Sequence, residues 1–448
     1  MATHAPARDQ RPNVVFILAD DCTYSDLGPW GGTNVPTPNV DRLAASGLTF
    51  DRAHVSMPIC APTRAAFYTG QYPATNGLAW NHGFSRPGTR SMPHHLGDLG
   101  YRVGIAGKVH VQPHGAYPFD AIDGVEGNCV SETADFDLAD AEAYITRDTE
   151  QPFAIVFGLV VPHVPWTVGD RDASDPATLK LPPILADCPE VREAYRHYLA
   201  EVGELDRQVG EILNLLDRTG VADNTLVVFS SEQGAQMPGA KWNLWDVGTH
   251  TGLIARWPGV TTPGTRTDAL AMDVDLMPTL IEAAGGDVEA GGFDGVSFAP
   301  LLRGDSGQRE LIFTSHNHVP DGPSYPMRSV TDGRWHYVRN LRPDRAYLVK
   351  FTQGNDGRDS GLWKGMLYAA AFDDHAADLI NRVLIRPAEH LYDLASDPAE
   401  MRDLAGDPRH AAELERLSAA LDDWMKQTGD PGAEADSAAA WRANRPAD

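Results

Sequence analysis

Four short apolar runs, each stopping abruptly at charged or polar residues, constrain this chain more than any other feature. "NVVFILADD" carries Val14 to Ala19 and ends in Asp20 and Asp21. "YRVGIAGKVH" ends in Lys108 and His110, "FAIVFGLVVPH" in His163, and "TLVVFSSEQG" in Glu232 and Gln233. Apolar runs without polar alternation read as strands buried on both faces, the habit of parallel sheets. Helical stretches lie between them. "TPNVDRLAASG" has Thr37 as cap, Pro38 in the first turn and Gly47 as stop. From Glu190 to Gly220 an amphipathic pattern places Tyr198, Leu205, Val209 and Leu216 on one face. Strands alternating with helices predict an α/β fold, a large, mostly parallel sheet sandwiched by helices. Such sheets bind ligands beyond the carboxyl ends of their strands, so the polar residues ending the four runs are expected on one edge.

The texture changes after about Gly304. "PMRSVTDGRWHYVRNL" reads as an antiparallel hairpin turning at Asp332-Gly333. A last helix around Ala411 to Met425 shows Leu414, Leu417, Leu421 and Trp424 at helical spacing. We expect an α/β domain over residues 11–304 and a smaller C-terminal α+β domain with an antiparallel sheet over 305–448. The formal net charge of −25 opposes nucleic-acid binding, which needs basic patches. No stretch approaches the ~18 to 20 apolar residues of a membrane span, and "MATHAPARDQRPN" lacks the apolar core of a secretory signal. The expectation is a soluble, cytoplasmic protein with no membrane and no nucleic-acid partner. Cys22, Cys60, Cys129 and Cys188 form neither a disulfide framework nor a zinc pattern. Nothing in the pattern fixes an oligomeric state.

Asp20, Asp21 and Glu232 would bring three carboxylates to one edge. Two charges ~4 Å apart repel by ~4 kcal/mol at an effective dielectric of ~20, so three strain a fold unless a cation sits among them. With Gln233 as a neutral oxygen, the donor set is hard and points to Ca²⁺, with Mg²⁺ as the alternative. Arg64, Lys108, His110, His163 and Lys241 supply the opposite half, a cationic cleft able to hold a small anion and move protons. Cys60, in "CAPTRAAFYTG", sits where a loop turns into a helix, with Pro62 in the first turn and Gly70 at the end. Taken alone it reads either as an inert packing cysteine or as a thiolate nucleophile activated by the helix end and Arg64.

"CAPTRAAFYTG" resembles the signature of type I sulfatases, members of the alkaline phosphatase superfamily in which the cysteine of Cys-x-Pro-x-Arg is oxidised to formylglycine. "NVVFILADD", "TPNVDRLAASGLTF", "GIAGKVH", "PHVPW", "SEQG", "AKWNLWDVGT" and "HLYDLASDPAEMRDLA" follow that family's order from about residue 11 to 430. "GKVHVQPHGAYPFD", "SYPMRSV" and "LDDWMKQTGDP" are similar to the heparan N-sulfatase branch. The chain departs from the usual pattern at Thr63, where serine is common, at Glu232-Gln233, where Asp with Asn or His is common, and at Lys241, where that branch tends to carry arginine.

The resemblance implies a sulfatase acting on a sulfate ester or sulfamate of a small, sugar-like substrate, matured by a formylglycine-generating enzyme. It assigns Asp20, Asp21, residue 60, Glu232 and Gln233 to Ca²⁺ and Arg64 to the formylglycine hydrate. Lys108 and Lys241 would balance charge on the sulfuryl oxygens. His163 would protonate the leaving group, and His110 would deprotonate the second hydroxyl as sulfate departs. His316, His318 and Arg328 would form the pocket rim or brace the domain interface. Trp80, Trp166, Trp242 and Trp245 would stack on a sugar or pack the core. Other readings are an aryl- or O-sulfatase, a formylglycine-dependent phosphonate or phosphate ester hydrolase, and an inactive sulfatase-like binding protein.

Overall fold

Val14 to Ala19 forms the buried length of β1 (Asn13–Ala19). Alternate side chains leave a strand on opposite faces, so Val15 and Ile17 enter one apolar core and Val14, Phe16 and Leu18 another. That is why the run shows no polar alternation: both of its faces are covered. The computed structural model describes residues 11–307, 309–353 and 361–445.

β1 lies inside an eight-stranded sheet with β2 (Leu48–His54), β3 (Arg102–Gly107), β4 (Asp120–Ile122), β5 (Phe153–Gly158), β6 (Thr225–Ser231), β7 (His250–Arg256) and β8 (Thr265–Met272). The spatial order is β4-β3-β5-β1-β6-β7-β2-β8, with β7 antiparallel to both neighbours and every other pair parallel. β3, β5, β1 and β6, the four runs read from the sequence, are consecutive neighbours. Their carboxyl ends therefore share one edge, as the fold class requires.

The Pro189–Arg218 helix buries Tyr198, Leu205, Val209 and Leu216 in the first core, beside Val40 and Leu43 of α1 (Pro38–Ser46). α2 (Cys60–Thr69) packs Ala61, Ala65, Phe67 and Tyr68 into the second, on the other face of the sheet. Full burial of a Leu or Val side chain stabilises by about 1.5–3 kcal/mol, so these two layers fix the sheet between them. Gly70 ends α2 in the left-handed conformation (φ 67°), one that residues with a Cβ rarely adopt.

A second, antiparallel sheet has the order β12-β11-β10-β9, from β9 (Ile312–His316), β10 (Met327–Thr331), β11 (Trp335–Asn340) and β12 (Glu389–Asp393). The expected hairpin joins β10 to β11, where Asp332 Oδ1 accepts from the backbone N–H groups of Arg334 and Trp335. Leu417, Leu421 and Trp424 of the Ala411–Thr428 helix pack on this sheet together with Met272, the last residue of β8, and Val274 just beyond it. No described helix is long and apolar enough to cross a membrane.

Candidate active site

Each strand end delivers its polar residues to α2. Asp20 and Asp21 follow β1, Lys108 follows β3, His163 stands five residues beyond β5, and Glu232 and Gln233 follow β6. Cys60, the first residue of α2, lies with Sγ 3.5 Å from Asp20 Oδ1 and 3.9 Å from Asp21 Oδ1. Lys108 Nζ donates to Asp20 Oδ2 at 2.5 Å, and Lys241 Nζ donates to Asp21 Oδ2 at 2.6 Å. His163 Nε2 sits 3.4 Å from Asp21 Oδ2 and 3.3 Å from Lys241 Nζ. The backbone carbonyl of Val164 lies 2.6 Å from His163 Nδ1; a carbonyl only accepts, so Nδ1 carries a proton and Nε2 faces the cluster. Four donors, from Asp20, Asp21, Cys60 and His163, fall within 4.8 Å of one another.

Arg64 crosses beneath this group. Its Nε pairs with Glu232 and its Nη1 donates to the carbonyl of Lys108 at 2.7 Å, while Nη2 is buried with no hydrogen-bond partner among the described residues. Gly158, at the end of β5, allows that path: a Cβ there would lie 3.0 Å from Arg64 Nη1 and 2.4 Å from the Lys108 carbonyl oxygen. Backbone strain gathers at the same place. Asp21, His82, His110 and Trp242 all have positive φ, a conformation that costs free energy outside glycine.

Asp20, Asp21, Glu232 and Arg64 are wholly buried, and Lys108 and Lys241 nearly so. Burial opposes the charge on Asp20, yet Lys108 and His163 hold its carboxyl well below the usual carboxylate range. Glu232 is pushed the other way, well above its ordinary value, by burial that Arg64 does not fully offset and by the charge on Asp20. One acid up and its neighbour down is the behaviour of crowded carboxylates. Burial works against the charge on Lys108, but Asp20 raises its pKa well above the ordinary lysine value. Burial and Lys241 act against charge on His163, and Asp21 and Asp20 overcome them to raise its pKa. Burial lifts the Cys60 thiol to about 11 despite Lys108 and Lys241, which opposes a thiolate at this position.

Two expected ligands are oriented otherwise. Glu232 turns to Arg64, the nearest positive charge. Gln233 directs Nε2 to Asp21 Oδ1 at 2.6 Å, while its Oε1 lies 3.3 Å from Thr63 Oγ1, so a rotation of the amide is needed for the oxygen to face a cation. His110 is half-buried and bonds His82, Nε2 to Nδ1 at 3.1 Å. Burial and Lys108 depress its pKa well below the ordinary histidine value, which favours its neutral form.

The three residues expected at the pocket rim or the domain interface are buried. His316 and His318 are wholly buried and bond each other at 3.1 Å, and His318 Nε2 lies 2.7 Å from the Leu348 carbonyl oxygen. Arg328, also buried, is locked to Asp430 and to the carbonyls of His316 and Met327. They are polar core, and Arg328 also lines a cavity beside Trp80. Trp166, Trp242 and Trp245 likewise bury their rings and donate Nε1 to Pro162, Asp321 and Tyr392; half-buried Trp80 lines a cavity of about 300 Å³ with Met57 and Arg328. Sequence reasoning missed Cys129, whose thiol burial would raise but a hydrogen bond with His163 lowers to about 7. It also missed Glu201, which accepts from the backbone N–H groups of Thr167 and Val168 and so anchors the loop bearing His163. Neither lies in a motif that marks it.

A mixed sheet thus gathers carboxylates and cations at its strand ends, around the helix N-terminus that carries Cys60. Comparison with known proteins identifies the family. The sequence model of the Sulfatase family matches residues 12–286. The chain is 31% identical to an ulvan-active sulfatase of Formosa agariphila, over 96% of this chain and 83% of that protein. It is 29% identical to the N-sulphoglucosamine sulphohydrolase of Homo sapiens, over 94% of this chain and 91% of that one. A phosphonate monoester hydrolase of Agrobacterium radiobacter shares the fold with a TM-score of 0.71 at 20% identity, covering 93% of this chain and 96% of that chain. A protein solved in complex with its substrate D-glucosamine-2-N,6-O-disulfate shares it with a TM-score of 0.70 at 19% identity, covering 94% and 99%. The chain belongs to the sulfatase family, and it is a hydrolase of sulfate esters or sulfamates. The family implies a metal ion and a formylglycine.

Proposed function

We propose that this sulfatase cleaves the sulfamate or sulfate ester of a small sulfated sugar, with N-sulfoglucosamine as the first substrate class, through formylglycine made from Cys60. The observation that carries the reading is the convergence of Asp20, Asp21, Lys108, His163 and Lys241 on residue 60. Similarity to the human N-sulphoglucosamine sulphohydrolase along nearly the whole of both chains supports the sulfamate class.

The residues fit a hard divalent ion. Three buried carboxylates meet there, and Glu232 is driven towards protonation by burial and by the charge on Asp20. Asp20, Asp21, Glu232 and Gln233, after rotation of the Gln233 amide, would hold Ca²⁺, whose six to eight oxygen ligands tolerate irregular geometry better than the octahedron of Mg²⁺. The ion and the formylglycine hydrate together supply a metal-assisted oxygen nucleophile that a cysteine or serine side chain lacks.

The chain's own side chains do the rest. Arg64 Nη2 is an uncommitted buried donor beside residue 60, suited to orienting the hydrate. With Arg64, Lys108 and Lys241 charged against three carboxylates, a bound divalent ion leaves the site net positive, which matches a sulfate group. His163 presents Nε2 and has a raised pKa, so it is the acid for the leaving nitrogen or oxygen. Neutral His110 is the base for the second step. Maturation requires a formylglycine-generating enzyme as a partner.

The test is a panel of N-sulfoglucosamine, 6-O-sulfoglucosamine, an aryl sulfate and an aryl phosphonate, assayed on protein co-produced with that enzyme. The highest kcat/KM is expected on N-sulfoglucosamine. Higher kcat/KM on an O-sulfate moves the assignment to the O-sulfatases; higher kcat/KM on the phosphonate overturns it.

A further inference from the structure

A second cluster of metal-ligating side chains lies outside the residues just described. His54 ends β2 and His250 begins β7, and the antiparallel register sets them opposite each other. Their imidazoles stack, with centroids 4.7 Å apart and planes 25° apart. Asp246, in the short helical turn Asp246–Thr249, puts Oδ2 3.1 Å from His250 Nδ1 and Oδ1 4.0 Å from His54 Nε2. Each of the three is at least nine-tenths buried, and one donor atom from each lies within 4.8 Å of the others.

Two independent features point to a ligand. His250 commits Nδ1 to Asp246 and leaves Nε2 buried with no hydrogen-bond partner among the described residues. Buried polar atoms are rarely left so. A cavity of about 270 Å³ also opens on the cluster, lined by Tyr24, Arg52, His54, Asp246 and His250 among others. It gives an ion a route in and leaves room for water as a fourth ligand.

We propose that His54, Asp246 and His250 form a second cation site, selective for a borderline transition ion of the Zn²⁺ class. Two imidazoles and one carboxylate suit zinc, cobalt or nickel, whereas the oxygen-rich cluster at residue 60 suits calcium. Tetrahedral bonds of about 2.0–2.1 Å place neighbouring ligand atoms roughly 3.3 Å apart, so Asp246 Oδ1 and His54 Nε2, 4.0 Å apart, need only a small rotation to share an ion, and His250 would offer its unpartnered Nε2. Outer contacts orient the set: Glu400 accepts from the Asp246 backbone N–H at 2.5 Å, and Tyr24 stacks on His250 with centroids 3.7 Å apart.

Such an ion ties together segments that carry the catalytic residues. Tyr24 follows Asp21 by three residues, His54 precedes Cys60 by six, and Asp246 follows Lys241 by five. The site therefore serves as a clamp on the loops around the sheet edge.

X-ray absorption at the zinc edge of full-length protein loaded with one equivalent of Zn²⁺ tests this. A first shell with two imidazoles, no sulfur and one carboxylate is expected. One imidazole, or any sulfur, would place the ion with Cys60 and His163 and overturn the proposal, as would failure to bind zinc. His54→Asn and His250→Asn are each expected to abolish the two-imidazole shell and leave calcium binding unchanged. Retention of that shell in either folded variant overturns the proposal. Should both variants fail to fold, the wild-type spectrum still decides.

Discussion

The pocket around residue 60 and the polar core beneath the small sheet bury the same kinds of side chain to different ends. Arg328 uses Nε and Nη2 on Asp430, Nη1 on the carbonyls of His316 and Met327, and Nη2 also on Asn317. Arg64 is as deeply buried, yet Nη2 has no hydrogen-bond partner among the described residues and its acid, Glu232, is crowded by Asp20. Burial of charge is thus common to both places. What separates the two arginines is pairing: each nitrogen of the Arg328 guanidinium has an acceptor, whereas Arg64 Nη2 has none among the described residues.

That contrast can be broken at several points. The largest effect is expected from Cys60→Ser, which should lower multiple-turnover kcat by about 10⁴-fold or more while substrate still binds. Turnover and binding assays on the same preparation separate these. His163→Gln should follow, with kcat down ~10²- to 10⁴-fold and little change in unfolding midpoint. Asp430→Asn should do the converse: removing one partner of a buried pair costs about 3–5 kcal/mol in urea unfolding, and kcat per folded molecule stays at the wild-type value. Calcium at about 100 times its Kd should stabilise wild-type protein by about 2.7 kcal/mol. Calorimetry should find that increment intact in Asp430→Asn and gone in Asp21→Asn. Smallest of all, Cys129→Ala should cost less than about tenfold in kcat yet remove the enzyme's sensitivity to maleimide near neutral pH, where the wild-type thiol is partly ionised.

How much of this was legible in the sequence follows the range of the interactions. A parallel strand buried on both faces writes its apolar run locally, so β1, β3, β5 and β6 and the residues at their ends were readable. The bounds of α2 were readable for the same reason, since Pro62 and Gly70 punctuate it. Arg328 was not. It lies in "SHNHVPDGPSYPMRSV", which opens as polar as a surface loop, and its partner, Asp430, lies 102 residues further along. Trp166, Trp242 and Trp245 pose the same problem, for indoles that serve a sugar and indoles that serve a core look alike until their Nε1 partners are known. The His54–Asp246–His250 cluster depends on the pairing of β2 with β7, and no spacing along the chain announces it. Orientation within the site was hidden too: Glu232 and Gln233 arrive where expected, but Arg64 and Thr63 decide where they point.

The central claim is that residue 60 works as an aldehyde and not as a thiol. Mass spectrometry of the peptide from Ala53 to Arg64, taken from active protein co-produced with a formylglycine-generating enzyme, measures this directly. The expected peptide has a carbonyl oxygen in place of the Cys60 sulfur and reacts with a hydrazide. An intact, alkylatable thiol at residue 60 in protein that turns over sulfated substrate at full rate would contradict it.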